Sequence, residues 1–176
     1  IIPRKSDSML YTFLFLILVV IDQVVKFLVR ANIPLGESIP FIPYVMDLTY
    51  VQNTGAAFSL LREHTWLLTL VSAVLVVVIA WLIFRRHITG RLGLLAATLV
   101  LAGGVGNLID RVALGYVTDM FQTTFIDFAV FNVADSCLTV GVVLLVIYVL
   151  FFYDKLHKKE EVQPHDDGSD LPAEGT

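Results

Sequence analysis

The sequence is poor in charge. Of its 176 residues, 16% are Asp, Glu, Lys or Arg and 57% are hydrophobic, where an ordinary soluble domain carries about a quarter charged residues. A chain this short has too little interior to hide that much apolar surface, which argues against a lone soluble domain. The mean hydropathy of +0.79 argues equally against disorder, which needs low hydrophobicity and high net charge. Cysteine is nearly absent. Cys137 stands alone, so there is no internal disulfide and no cysteine-based metal site, and a lone thiol reads as a small buried apolar residue. The phosphate loop, GxGxxG, GxSxG and HExxH are all missing. His64, His87, His157 and His165 lie outside the apolar blocks and far apart. The reading is therefore no metal and no cofactor. No basic stripe suggests nucleic acid. The net charge of -4 reflects the carboxyl end, where Glu160, Glu161, Asp166, Asp167, Asp170 and Glu174 cluster.

What is present is long apolar runs. Four approach the roughly 20 residues a helix needs to cross a bilayer: Leu10–Leu28, Trp66–Phe84, Leu92–Ile109 and Val133–Tyr153. The first holds Asp22, Gln23 and Lys26, yet its fourteen Leu, Ile, Val and Phe residues contribute about -4 to -8 kcal/mol toward insertion, and a central charge costs about 3. Asp22 and Lys26 also pair at i, i+4, as a structural polar pair. Lys and Arg near the spans set orientation. Arg85, Arg86 and Arg91 lie between spans two and three, Lys155, Lys158 and Lys159 follow span four, and Arg4 and Lys5 precede span one. The expected fold is an all-α membrane protein of four transmembrane helices, both termini cytoplasmic, with a small β-sheet on the outer side. Residues 1–9 read as a polar extension or an appended remnant, 10–153 as the membrane domain, and 154–176 as an acidic cytoplasmic tail. The outer segment 31–65 contains Pro34, Pro40 and Pro43, which break helix; Val45–Gln52, Val117–Phe121 and Phe125–Phe128 are candidate strands.

Ionisable groups at a span are functional candidates. Asp110 ends span three in GGVGNLIDR and Asp135 starts span four in FNVADS. Antiparallel helices place both at the outer end, where two carboxylates sharing a proton can serve as general base and general acid for water attack on an amide. The alternatives at this point are a capping Asp135 and an Asp110–Arg111 surface pair. Asp119 and Asp127 read as outer-surface loop acids. Within the pair, the helix dipole favours an ionised Asp135 at an amino end and leaves the proton on Asp110 at a carboxyl end.

The motifs DQVVK (22–26), QNTGAAF (52–58), GGVGNLIDR (103–111), GYVTDMF (115–121) and FNVADS (131–136), in this order, resemble the lipoprotein signal peptidases (signal peptidase II), bacterial membrane aspartyl proteases. In the fourth of these motifs the family usually has Val before the Asp, where this chain has Thr118. The resemblance implies Asp110 and Asp135 as the catalytic pair. It also implies Asn53, Gly55, Asn107, Arg111, Asn132 and Ala134 as substrate-binding or site-supporting residues. The implied substrates are diacylglyceryl-modified prolipoproteins, cut on the amino side of the lipidated Cys at the outer face of the bacterial cytoplasmic membrane. Membrane lipid is the implied surrounding, and peptide antibiotics of the globomycin type are the implied inhibitors. Gly103, Gly104 and Gly106 allow close helix approach, and segment 31–65 is expected to cover the site. A proton-coupled transporter, with Asp22, Lys26, Asp110 and Asp135 as its relay, and a structural subunit are the competing readings. The acids cluster at one face without repeat symmetry, which disfavours the transporter, and a structural subunit needs no Asp pair with Asn neighbours.

Overall fold

The apolar runs fold as four helices, each long and apolar enough to cross a membrane. The computed structural model describes residues 5–55 and 65–153, with side chains from residue 8 onward. In chain order the elements are α1 (Lys5–Asn32), β1 (Ser38–Ile42), β2 (Met46–Asn53), α2 (Thr65–Phe84), α3 (Gly90–Leu114), β3 (Val117–Thr123) and α4 (Val133–Phe151). The helix α3 is the centre: 61% of its most apolar stretch is buried, against 17% or less in the other three. Apolar side chains such as Phe13, Leu70 and Val143 are more than half exposed, as a bilayer-facing surface requires.

Glycine makes the close packing possible. A methyl group at Gly103 would collide with the Ala134 carbonyl oxygen of α4, one at Gly104 would come within 2.9 Å of Val76 on α2, and one at Gly106 within 2.6 Å of Asp22 Oδ2 on α1. The three glycines thus seat three different helices. At the far end, Tyr148 of α4 is buried and its hydroxyl accepts the Thr89 backbone N–H at 3.1 Å.

The helices α1 and α3 end at a three-stranded antiparallel sheet, order β1-β2-β3, and α4 begins beside it. The strands expected at Val45–Gln52 and Val117–Phe121 are present as β2 and β3. Phe125–Phe128 is not a strand: pairing resumes at Phe131, which bridges Phe121. The strand β1 is not expected from the sequence, because Pro40 reads as a breaker. It occupies the sheet's edge, where a missing N–H is tolerated, and its register is irregular between Pro40 and Ile42. Gly115, with φ of +81°, caps α3 and donates its N–H to the Arg111 carbonyl at 3.1 Å. This left-handed residue reverses the chain, so β3 returns across the end of the bundle. Val117, Thr118, Asp119 and Met120 are all buried there.

Candidate active site

Two polar layers meet at the sheet end of the bundle. The deeper one is centred on Lys26. Asp22, Gln23, Lys26 and Arg30 recur along one face of α1. Lys26 is fully buried; its ammonium lies 3.0 Å from Asp22 Oδ2 and 3.4 Å from Asp110 Oδ2, and donates to Asn107 Oδ1 at 2.9 Å. Asp22 also accepts the Ala134 backbone N–H at 2.9 Å, which ties α1 to the start of α4. Asp110 accepts the Thr118 backbone N–H at 2.8 Å and has Arg30 Nη1 at 3.9 Å. Arg30 donates in turn to Thr118 Oγ1 at 2.9 Å.

The second layer holds two carboxylates on three asparagines. Asn132 is the N-cap of α4. Its Oδ1 accepts the Asp135 N–H at 2.8 Å, and Asp135 Oδ2 accepts the Asn132 N–H at 3.2 Å. This reciprocal cap holds Asp135 Oδ2 through local sequence and leaves Oδ1 to a more distant partner. Asn132 Nδ2 then donates to Asp119 Oδ1 at 2.7 Å, Asn53 Nδ2 to Asp119 Oδ2 at 2.9 Å, and Asn107 Nδ2 to Asp135 Oδ1 at 2.7 Å. Each amide is oriented by a donor on its own oxygen. For Asn107 that donor is Lys26, joined by Asn132 Nδ2 at 3.1 Å; for Asn132 it is the Asp135 N–H; for Asn53 it is the Gly55 N–H at 2.8 Å. An amide with its oxygen so occupied has only N–H groups left for the carboxylate.

Sequence reasoning pairs Asp110 with Asp135. The structure gathers both at one end, but Asp110 faces Lys26 and Arg30, and the carboxylate sharing Asn132 with Asp135 is Asp119. Asp119 is 1% exposed and not a surface acid; Asp127 is exposed. Burial is the main influence on Asp119. With a smaller push from the Asp135 charge, it overcomes the amide hydrogen bonds and raises the carboxyl from its ordinary value to about 6. Asp135 is partly exposed, so water reaches the pair from its side. Of the other expected site residues, Ala134 and Gly55 act through their backbone N–H groups, and Arg111 reaches Ser72 Oγ at 3.3 Å. Residues 56–64, which carry part of the expected covering segment and His64, lie outside the described residues. The signal for Asp119 is its place in GYVTDMF, shortly after a glycine able to reverse the chain.

A family model described as signal peptidase (SPase) II matches residues 14–151. A lipoprotein signal peptidase of Streptococcus pyogenes serotype M5 (strain Manfredo) is 47% identical over 141 residues, covering 78% of this chain and 91% of the relative. Another from S. pyogenes serotype M6 (strain ATCC BAA-946 / MGAS10394) is 48% identical over the same shares. Among solved structures, a bacterial membrane enzyme determined by the in meso method at 2.3 Å resolution superposes with a TM-score of 0.75 at 31% identity, covering 89% of this chain and 94% of the other. A second, at 1.9 Å, gives 0.71 at 29% identity, over 85% and 96%.

Proposed function

This chain belongs to the signal peptidase II family, and from that premise we propose that Asp119 and Asp135 are its working carboxylates, with Asp110 bracing the structure beneath them. The chain is a multi-pass membrane aspartic endopeptidase that removes signal peptides from diacylglyceryl-modified prolipoproteins, cutting on the amino side of the lipidated Cys. The observation that carries the residue assignment is Asn132. One residue donates to Asp119 Oδ1 from its side chain and to Asp135 Oδ2 from its backbone, so the two acids are held as a unit.

The chemistry follows from their unequal surroundings. Asp119, buried and raised to about 6, holds the proton. Asp135 accepts two N–H groups at the amino end of α4, where negative charge is stabilised; it is the base. A water between them gives a proton to Asp135 as its oxygen bonds to the peptide carbonyl carbon, and Asp119 gives its proton to the carbonyl oxygen. The tetrahedral diol then collapses. Its hydroxyl proton returns to Asp119, the C–N bond breaks, and Asp135 protonates the departing nitrogen. Both carboxyls end as they began, and no cofactor is consumed.

The arginines between α2 and α3 support cytoplasmic termini and a sheet on the outer face of the bacterial cytoplasmic membrane. A substrate whose acyl chains stay in the bilayer presents its scissile bond at that depth. Inhibition by peptide antibiotics of the globomycin type belongs to the same reading. The test is a gel-shift assay on lipid-modified prolipoprotein: Asp119→Asn and Asp135→Asn should be folded and inactive, and normal turnover by either would sink the assignment.

A further inference from the structure

Resting on the assignment of Asp119 and Asp135, we propose that Lys26 is a positioning residue for the reaction: by donating to Asn107 Oδ1 it sets the amide that holds Asp135.

A buried lysine in a membrane span is costly, and pairing with Asp22 alone would neutralise it. The geometry shows more than neutralisation. The Lys26 ammonium has three N–H donors, and three side-chain acceptors surround it: Asp22 Oδ2 at 3.0 Å, Asn107 Oδ1 at 2.9 Å and Asp110 Oδ2 at 3.4 Å. Asn107 receives the shortest of these contacts, although it carries no charge. Its amide has two ends that differ in function. With Oδ1 toward Lys26, Nδ2 meets Asp135 Oδ1 at 2.7 Å. Turned over, the amide would set N–H against ammonium and oxygen against carboxylate, two repulsions in a site of low dielectric. Asn132 Nδ2 reaches the same Asn107 oxygen at 3.1 Å and Asp119 at 2.7 Å, so a free-turning Asn107 would also disturb the other carboxylate. Lys26 touches neither carboxylate of the pair. It acts through one amide, and the cation also polarises that amide so that its N–H donates more strongly.

The test separates this role from simple stability. Lys26→Met would strand Asp22, so the cycle is built on Asp22→Asn, and the two changes together remove one charge of each sign. Four variants are compared in steady-state assays with substrate in excess: Asp22→Asn alone, with Lys26→Met, with Asn107→Ala, and with both. Adding Lys26→Met should lower kcat about 10- to 100-fold and leave KM within about threefold. In the Asn107→Ala background the same change should cost less than about twofold, because its route is already gone. If the Met variant does not fold, Lys26→Gln, whose donor is one bond shorter, replaces it, with an expected loss of about 3- to 10-fold and the same non-additivity. Multiplicative losses, or an unchanged kcat when Lys26 is replaced, overturn the proposal. Activity in Asp119→Asn or Asp135→Asn would instead overturn the reading on which it rests, so the two failures are distinct.

Discussion

Lys26 Nζ lies 3.4 Å from Asp110 Oδ2, and both side chains are buried. That contact sets Asp110 apart from the proposed pair, Asp119 and Asp135, which share Asn132. Removing one partner of a buried ion pair costs about 3–5 kcal/mol, reduced here because Asp22 remains 3.0 Å from the same ammonium. Asp110→Asn is therefore expected to lose about 2–3 kcal/mol of stability and to keep measurable cleavage once folded. Asp119→Asn and Asp135→Asn are expected to lose more than about 10³-fold in activity with little loss of fold. Thermal melts in detergent beside cleavage assays check this. A stable, inactive Asp110→Asn would return Asp110 to the chemistry.

Gly103→Ala should damage the site without touching a polar group. The new methyl would press on the Ala134 carbonyl oxygen and lie 2.8 Å from Leu138 Cγ. Backbone does not yield, so α4 must move, and Asp135 moves with it. Overpacking of this kind costs about 1–3 kcal/mol, and activity should fall at least tenfold. Gly104→Ala meets one side-chain atom, Val76 Cγ2 at 2.9 Å, on α2, and should be milder. Equal effects of the two in a paired assay would refute this account.

The orientation is checked with a single introduced thiol. Cys137 is buried, which leaves the background low. Asp127, exposed in the connection after β3, is the position to change. In intact protoplasts Asp127→Cys should react with a membrane-impermeant maleimide. Labelling only after lysis would invert the topology.

Chelators should leave activity intact. Each of the four oxygens of Asp119 and Asp135 already accepts an N–H, three from asparagine amides and one from the Asn132 backbone. Among the described residues, no group of three or more His, Cys, Asp or Glu side chains is arranged to hold a metal ion. Activity lost with a strong chelator and restored by one particular metal would contradict this.

The helices are legible in the sequence because length and apolarity decide them, and α4's first turn is legible because Asn132 and Asp135 stand at cap spacing. The proposed partner of Asp135, Asp119, is not. Sequence reasoning ranks acids by nearness to a span and uses the helix dipole, worth about 0.3–1 kcal/mol and about 2 at most, to place the proton on Asp110. The structure sets Lys26 and Arg30 3.4 and 3.9 Å from that carboxylate, where one ion pair's gross attraction at an effective dielectric of about 20 is about 4 kcal/mol. The attraction of the two cations therefore exceeds the influence of the dipole at Asp110. Nothing in the spacing tells which way β3 turns after Gly115, and that turn is what buries Asp119. The strand β1 is hidden for a related reason: a proline excludes helix but permits an edge strand.

The last prediction concerns pH. Burial, aided by Asp135, raises the Asp119 carboxyl from 3.8 to about 6. The proposed reaction needs Asp119 protonated, so kcat/KM, which reports the free enzyme, should fall as pH rises through about 6 with the loss of one proton. Asp135→Asn removes a neighbouring charge that raises the value, so in that variant Asp119 should titrate at lower pH, as followed by its carboxyl infrared band. The acids titrate as a coupled pair, which is why the single-acid variant is the informative one. Stability carries the same signature. Between pH 3.8 and about 6 the folded protein binds the Asp119 proton more tightly than the unfolded chain, so unfolding free energy drops with rising pH. The full loss, about 3 kcal/mol, is reached above pH 6. Asp119→Asn escapes that loss but gives up one hydrogen bond, worth about 1 kcal/mol. At pH 8 it should melt no lower than the wild type, and at pH 4 no higher. A variant that melts well below the wild type at pH 8 would mean that Asp119 is held ionised at no cost, and the proton would have to be placed elsewhere.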